Sequence, residues 1–403
     1  MTKRIVSVLM SFVLLLTLAA CGGGNGDEDT SVTATESQSV SQENSDVAVE
    51  SEELIFGEFE NFGNDPNNLM QSEYTFAFDD EHIYGINITT QDLYSMGYSG
   101  ENYNVILKGA PGYRCNLNVY DGYLYYQIKN SLKPNSVTIE RINLGTSQVE
   151  NVAEFSCEQG GMLKTFFQII DGYLFYNSLD LLTKVMKTGA VDTATLNNYL
   201  LSEITVGSSV VDNSVCVTRY NGKVYMFIWP QSVYCLDFES FRSAPEQVQM
   251  QQLTEGTTLR GYDLIGLNGF RSMMKVTSDE YIGADYLFDD YQTDTKSFNS
   301  VNVKSPLFVK SQHDTEGMIE FTNLGYRVGE SRVFVDLTSD KICYYKGSDY
   351  TAPQMINDGT KLYVSMSSGV YKDVLYIMCE DSASGTSVLV TVDSEGVFNQ
   401  YAV

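Results

Sequence analysis

Residues 119–126 read VYDGYLYY, and this stretch decides the fold. Residues 169–176 (IIDGYLFY) and 219–226 (RYNGKVYM) resemble it closely, so the turn residues Asp121, Asp171 and Asn221 lie 50 positions apart each time. Asp-Gly and Asn-Gly pairs between apolar runs are strong β-hairpin signals, because Gly adopts a positive φ at no steric cost. The sequence therefore predicts three hairpins at equal spacing.

Weaker copies of this hairpin flank the three strong ones. They lie at residues 80–84, 278–282, 339–345 and 358–363. A further strand with alternating apolar residues follows most copies, at residues 92–96, 137–142, 233–237 and 388–393. The repeat thus contains several strands and extends over most of the chain.

A repeat of 40–60 residues built from several strands is typical of β-propeller blades. Residues 54–403 are predicted to form one all-β propeller, for which the spacing favours seven blades and allows six to eight. Helical spacing of Leu196, Leu200 and Leu201 predicts a helical turn or two in an insertion near residues 195–203.

The Asp-Gly-Tyr-Leu-Tyr-Tyr copies, each followed by a strand like Leu93-Tyr94-Ser95-Met96, resemble a family of bacterial lipoproteins. The domain of that family is described as similar to the β-propeller of low-density-lipoprotein-receptor-related proteins. The resemblance covers most of residues 75–400 and implies a propeller fold. The Tyr-Trp-Thr-Asp signature of the receptor propellers is absent from this sequence, and the resemblance implies no activity for any residue.

The N-terminus predicts a lipoprotein signal peptide. Lys3 and Arg4 precede an apolar segment that ends in Leu18-Ala19-Ala20-Cys21. A basic n-region followed by a short apolar segment is typical of secretory signals. We therefore expect cleavage after Ala20 and attachment of lipid to Cys21, which would hold the chain on the outer face of a bacterial cell membrane.

Residues 21–53 are predicted to be a disordered tether between the lipid and the propeller. After Gly22-Gly23-Gly24 this segment is rich in Ser, Thr, Gln, Asp and Glu, and it contains no Lys, Arg or aromatic residue. It cannot bury enough apolar surface to offset the entropy of ordering.

The charge of the chain excludes one class of partner. The formal net charge is −27, and removal of residues 1–20, with Lys3 and Arg4, takes it to −29. Nucleic acids need a basic surface, so we expect no nucleic-acid partner.

Residue types that carry catalysis or bind metals are scarce. The two histidines are His82, which lies in a predicted strand, and His313, in a polar loop. The cysteines after Cys21 show no Cys-x-x-Cys spacing and are either disulfide-bonded or free and buried. They are Cys115, Cys157, Cys216, Cys235, Cys343 and Cys379. We predict no catalytic residue, no metal site and no cofactor.

Two local features have alternative interpretations. The acidic segment 285–294 is either a solvated hairpin turn or a weak calcium site. Trp229, before Pro230, ends a predicted strand and either packs between blades or stacks on a ligand at a blade end.

Two functions are consistent with these patterns. The first is a non-enzymatic binding propeller displayed at the cell surface, with an extracellular protein or glycan as ligand. The second is an extracellular carbohydrate-active enzyme that uses paired carboxylates on a propeller.

Overall fold

The structure is a computed structural model of the 403-residue chain. The residues that it describes are 55, 75–87, 89–109, 112–130, 133–158, 160–207, 214–229, 232–253, 261–275, 281–292, 297–298, 301–303, 326–336, 341–346, 354–355, 362–381 and 384–403. The chain divides into two units, Met1–Ser51 and Glu52–Val403, and all described residues belong to the second. The signal peptide, Ala20, Cys21 and the tether lie outside the described residues.

The described residues form seven four-stranded antiparallel sheets and one two-stranded ribbon. The first sheet contains β1 (Phe76–Phe78), β2 (Ile83–Ile86), β3 (Leu93–Met96) and β4 (Asn104–Leu107). The second contains β5 (Tyr113–Tyr120), β6 (Tyr123–Lys129), β7 (Ser136–Asn143) and β8 (Val149–Ser156). The third contains β9 (Leu163–Ile170), β10 (Tyr173–Asp180), β11 (Val185–Asp192) and β12 (Asn198–Thr205). The fourth contains β13 (Ser214–Tyr220), β14 (Lys223–Trp229), β15 (Ser232–Asp237) and β16 (Gln251–Gln252).

The remaining sheets follow in chain order. The fifth contains β17 (Gly261–Gly266), β18 (Gly269–Lys275), β19 (Tyr281–Leu287) and β22 (Val301–Val303), and the ribbon pairs β20 (Tyr291–Gln292) with β21 (Ser297–Phe298). The sixth contains β23 (Tyr326–Val328), β24 (Ser331–Asp336), β25 (Lys341–Tyr345) and β26 (Gln354–Met355). The seventh contains β27 (Leu362–Tyr371), β28 (Val374–Asp381), β29 (Ser387–Asp393) and β30 (Phe398–Ala402). The helix α1 (Phe238–Ser243) and two 3₁₀ turns (Pro245–Gln247 and Phe288–Asp290) complete the described elements.

The apolar core lies between successive sheets. Separate clusters join the first sheet to the second, the second to the third, the third to the fourth and the fourth to the fifth. Two more join the sixth to the seventh and the seventh to the first. Because the last sheet packs against the first, the sheets are blades of a β-propeller, and the predicted all-β fold is confirmed. The number of blades stays a prediction, because several ranges of the chain lie outside the described residues.

The first hairpin of a sheet turns at the predicted dipeptide. Asp121 and Gly122 have φ of 48° and 75°, and Asp171 and Gly172 have φ of 49° and 82°. Two successive residues with positive φ give the type I′ turn that matches the twist of a two-residue hairpin. Asn221 and Gly222 follow the same geometry, so the three strong hairpin predictions are confirmed.

A second kind of turn follows the third strand of several sheets. The last residue of that strand is Asn143, Asp192, Asp237 or Asp393, and its side chain accepts hydrogen bonds from backbone N–H groups two to four residues later. In the fourth sheet the tight turn is replaced by α1, whose N-cap is Asp237. Sequence patterns of the form Asx-x-x-Thr mark two of these turns.

The helix predicted near residues 195–203 is wrong. Leu196 lies in the turn after β11 with φ of 60°, and Leu200 and Leu201 belong to the outer strand β12. Leu200 is exposed and Leu201 is buried, which is the alternation of a strand. The helical spacing arose because a turn residue precedes a strand that is exposed on one side.

Three of the weaker hairpin copies were assigned to the wrong strand. Residues 281–287 and 341–345 are the third strands of their sheets, and residues 362–371 are the first strand of the seventh sheet. The proposed turn residues 278–280, 339–340 and 358–361 lie outside the described residues. The copy at residues 80–84 and the additional strands β3, β7, β15 and β29 are confirmed.

Candidate functional site

Each sheet has two ends, at which the connections between its strands lie. Because neighbouring strands are antiparallel, the turns after the first and third strands lie at the same end of a blade. We call this end the turn face. The opposite end, which carries the connections from the second to the third strand, is called the loop face.

The acidic residues in the turns between the first and second strands have structural roles. Asp171 forms an ion pair with Arg219 of the next blade. Asp373, in the turn of the seventh sheet, accepts a hydrogen bond from the backbone N–H of Gly329 in the sixth sheet, at 3.0 Å. Asp80, after β1, accepts hydrogen bonds from the hydroxyl of Tyr371 (3.1 Å) and from Nζ of Lys372 (2.9 Å). These turn acids therefore link one blade to the next.

Half-buried tyrosines lie beside the turns on this face. They are Tyr120, Tyr123, Tyr173, Tyr220 and Tyr371. The guanidinium of Arg141 lies over the ring of Tyr123 at 4.3 Å, and its Nε contacts Oε1 of Glu150 at 2.7 Å. The hydroxyl of Tyr220 donates to Oδ2 of Asp289 at 2.9 Å. A tyrosine offers both an apolar ring and a polar hydroxyl, which suits contact with an external ligand.

Helix α1 extends the turn face of the fourth sheet toward the third. Its residues Phe238 and Phe241 are fully buried, and their ring centroids lie 5.8 and 5.0 Å from that of Tyr173. Asp237 begins the helix, because its side chain accepts the backbone N–H of Ser240 at 2.7 Å. Arg242 follows in the last turn and is exposed. Insertions in repeat proteins lie on one face, which is often the face that binds ligands.

The described carboxyl groups with altered pKa values are held in their ionised form. Hydrogen bonds from Lys372 and Tyr371 lower the pKa of Asp80, and hydrogen bonds from Ser240 lower that of Asp237. On the loop face, the hydrogen bond from Gly109 lowers the pKa of Asp92. Burial opposes the same change at Asp180, but hydrogen bonds from Thr183 and Leu182 prevail and lower its pKa.

The sequence-predicted residues fall in different places. Cys21, Ala20 and His313 lie outside the described residues. His82 precedes β2 instead of lying within it, with its Nδ1 3.6 Å from Oδ1 of Asp79. Trp229 is the last residue of β14, as predicted, and Pro230 lies outside the described residues.

The cysteines show no disulfide within the described part of the chain. Cys115, Cys157, Cys235 and Cys379 are not disulfide-bonded, and Cys157 alone among these four is not fully buried. The side chains of Cys216 and Cys343 lie outside the described set.

The acidic segment 285–294 contains the end of β19, a 3₁₀ turn and β20. Within the residues described, no group of three or more His, Cys, Asp or Glu could hold a metal ion. In the same part of the chain, no helix has the length and hydropathy needed to cross a membrane.

Sequence comparison gives no match: no protein-family model and no curated protein matches the chain. Structure comparison gives several. A structure of prolyl endopeptidases matches with a TM-score of 0.51 at 10% identity, over 84% of this chain and 50% of that chain. The chain thus spans half the length of that endopeptidase.

Two further structures are similar at lower TM-scores. A quinonprotein alcohol dehydrogenase-like protein from Bacteroides thetaiotaomicron matches with a TM-score of 0.42 at 14% identity, over 82% of this chain and 74% of that chain. The β-propeller domain of the Trilobed protease from Pyrococcus furiosus matches with a TM-score of 0.40 at 13% identity, over 72% and 83%. At such identities a structural similarity concerns the fold alone.

Proposed function

We propose that this chain is a bacterial lipoprotein. Lipid on Cys21 anchors it at the extracytoplasmic face of the cell membrane, and its propeller binds an extracellular glycan or protein. The binding surface is the turn face of the second, third and fourth blades. The domain acts by binding and carries out no reaction of its own.

The anchor follows from the sequence before the propeller. Ala19 and Ala20 precede Cys21 at the end of an apolar segment, as in the bacterial lipoproteins that the repeats also resemble. Two or three acyl chains hold a protein on a membrane stably, whereas one chain does not. The polar segment up to residue 53 would then separate the propeller from the lipid surface.

One feature of the turn face of the second, third and fourth blades supports binding there. Helix α1 follows the third strand of the fourth blade, and Arg242 of this helix packs on Phe238, which also contacts the half-buried Tyr173 of the third blade. Aromatic rings and arginine are the residues that most often dominate binding surfaces.

The charges of the described carboxyl groups favour binding over hydrolysis. A glycosidase needs one carboxylic acid with a raised pKa to protonate the leaving group. Asp80, Asp92, Asp180 and Asp237 have lowered pKa values, and Asp171 and Glu150 are paired with Arg219 and Arg141. These groups are suited to accepting hydrogen bonds.

A binding array tests this proposal. The whole protein in detergent micelles is applied to arrayed extracellular glycans and proteins, together with Tyr120→Ala and with Leu182→Ala as the matched control on the loop face. Tyr120 lies on the turn face, whereas Leu182 lies between β10 and β11 and is 59% exposed. We expect binding that is lost with Tyr120→Ala and kept with Leu182→Ala. Binding that only Leu182→Ala weakens would place the site on the loop face, and hydrolysis of an arrayed glycan would support the enzyme.

A further inference from the structure

Three hydrogen-bond donors on the turn face have no hydrogen-bond or ion-pair partner among the described residues. They are the guanidinium of Arg242 in the fourth blade and the hydroxyls of Tyr120 in the second and Tyr173 in the third. Other arginines nearby are already engaged: Arg219 pairs with Asp171, and Arg141 pairs with Glu150. The three free donors therefore come from three different blades, which the propeller brings to one surface.

Packing brings the three residues to one area. Arg242 and Tyr173 both pack on Phe238, and a Cβ added at Gly172, the residue before Tyr173, would lie 3.8 Å from the hydroxyl of Tyr120. The charge of Arg242 also acts on both phenols. Burial raises the pKa of Tyr120, its neighbour Asp121 raises it further, and Arg242 opposes the rise. Burial also raises the pKa of Tyr173, as do Asp192 and Tyr199, and Arg242 again opposes the rise. Both phenols stay protonated at neutral pH, so each can donate a hydrogen bond.

The position of Arg242 is fixed by the helix beneath it. Its guanidinium lies 5.7 Å from the ring centroid of Phe238, which is fully buried and packs against Tyr173. The other side of that arginine faces solvent, because Arg242 is exposed. A guanidinium held on an aromatic ring and free of a carboxylate partner is arranged to bind an oxyanion by two parallel hydrogen bonds.

Acceptors flank these donors. Asp121 is exposed beside Tyr120. Asp192, whose Oδ1 already accepts from the backbone of Ala194 and Thr195, raises the pKa of Tyr173 through its charge. A ligand that suits the whole surface must therefore offer an anionic group to the donors and hydroxyl groups to the acceptors. The rings of the tyrosines provide apolar area against which a pyranose can pack.

We propose that Arg242, Tyr120 and Tyr173 bind the carboxylate of a uronic acid residue in an extracellular glycan. This inference rests on the proposed binding function and names the ligand class for the same surface. Residues 54–403 have 43 acidic and 23 basic residues, a net charge of −20. This charge disfavours anions elsewhere on the domain, so recognition depends on this local arrangement of donors.

Isothermal titration of the whole protein in detergent micelles tests the proposal with four probes. The first is a hyaluronan hexasaccharide, which alternates glucuronate with N-acetylglucosamine, and the second is neutral chitohexaose of the same length. The third is a hexaglutamate peptide, which carries carboxylates without sugar rings. The fourth is free glucuronate, which tests whether the carboxylate suffices without the chain of sugars.

The variants are Arg242→Ala, Arg242→Lys and the control Lys187→Ala. Lys187 is exposed on the third blade and pairs with Glu203 at 3.4 Å, so its removal changes the net charge equally. We expect the hexasaccharide to bind more tightly than chitohexaose, and Arg242→Ala to weaken it about 10- to 100-fold. Arg242→Lys should restore part of the affinity, because Lys supplies charge without the two parallel donors. Lys187→Ala should bind as the unaltered protein does.

Three results would overturn the inference. Equal affinity for chitohexaose, with no effect of Arg242→Ala, would remove the carboxylate from the recognition and leave the proposed binding function intact. Equal affinity for hexaglutamate would assign the surface to acidic peptides. Absence of binding by every carboxylate probe would reject the site, whereas the array described above decides the binding function separately.

Discussion

The side-chain Oε1 of Gln168 in the third blade accepts a hydrogen bond from the backbone N–H of Val217 in the fourth, at 2.9 Å. Oδ1 of Asn118, 50 residues earlier in the repeat, accepts from Ile169 in the same way, at 3.3 Å. Val217 and Ile169 lie on the innermost strands of their sheets, where one edge has no strand partner. In each of these blades a buried side-chain amide thus accepts a hydrogen bond from the first strand of the next blade. This contact is stabilising because an unpaired buried N–H group is costly.

We therefore predict that Gln168→Leu lowers the free energy of unfolding by about 1–3 kcal/mol, because it removes the buried side-chain oxygen that accepts from the N–H of Val217. Gln168 is fully buried. Chemical denaturation monitored by circular dichroism measures the change. The control is Gln148→Leu at an exposed turn position, which should change stability by less than about 0.5 kcal/mol. Equal effects of the two substitutions would argue against the inter-blade role.

The second prediction concerns the type I′ turns. A Cβ added at Gly122 would meet no atom within 4 Å, so Gly122→Val tests the backbone alone. With φ at 75°, a β-branched residue should destabilise the fold by about 1–3 kcal/mol. Asp121→Asn should be nearly silent, since Asn221 has the same φ of 48° in the equivalent turn. Thermal melts decide it, and an unchanged melting temperature for Gly122→Val would refute the assignment.

The third prediction is a loss of stability in acid. The folded-state pKa values of Asp92, Asp180 and Asp237 lie below the unfolded value of 3.8. As the pH falls toward 3.8, the unfolded chain therefore binds more protons than the folded chain does. The stability that these three carboxylates contribute is present above pH 3.8 and is lost as the pH falls through their folded-state pKa values. Denaturation midpoints measured from pH 7 to pH 3 should fall mainly below about pH 4. Asp237→Asn should flatten part of that decrease, and a decrease centred near pH 6 would point to other groups.

The fourth prediction concerns the anchor. Cys21→Ser should abolish incorporation of a clickable fatty acid and release the protein from the membrane fraction, because serine lacks the thiol that accepts the lipid. Ser51→Ala, which replaces a polar residue of the tether, serves as the control and should leave labelling unchanged. Label on Cys21→Ser equal to that of the unaltered protein would reject lipidation at this position.

Hairpins could be predicted from the sequence where their turns contain glycine. The turns at Gly122, Gly172 and Gly222 were predictable because Asp-Gly and Asn-Gly pairs readily adopt the two positive φ values of a type I′ turn. The seventh sheet uses Lys372 and Asp373 at φ of 48° and 56°, and neither residue is a glycine. The hairpin there was therefore missed, and the Asp358-Gly359 pair upstream was assigned in its place.

The sequence also contains a second signal for turns. Asn143 with Thr146, and Asp192 with Thr195, each close a turn after the third strand. This spacing would have placed Leu196 in a turn and excluded the helix near residues 195–203. The candidate site could not be predicted by either signal. Its parts, Tyr120, Tyr173 and Arg242, lie in three blades, and no local sequence pattern shows that α1 packs against the third blade and that Tyr120 lies near Gly172.

Hydrogen–deuterium exchange tests whether the turn face of the second to fourth blades binds the ligand. The whole protein in detergent micelles is measured by mass spectrometry with and without the hyaluronan hexasaccharide. We expect slower exchange in the peptides that contain residues 120–123, 171–173 and 238–243, and unchanged exchange in residues 180–184 on the loop face. Protection confined to residues 180–184, or equal protection at both ends of the blades, would contradict it.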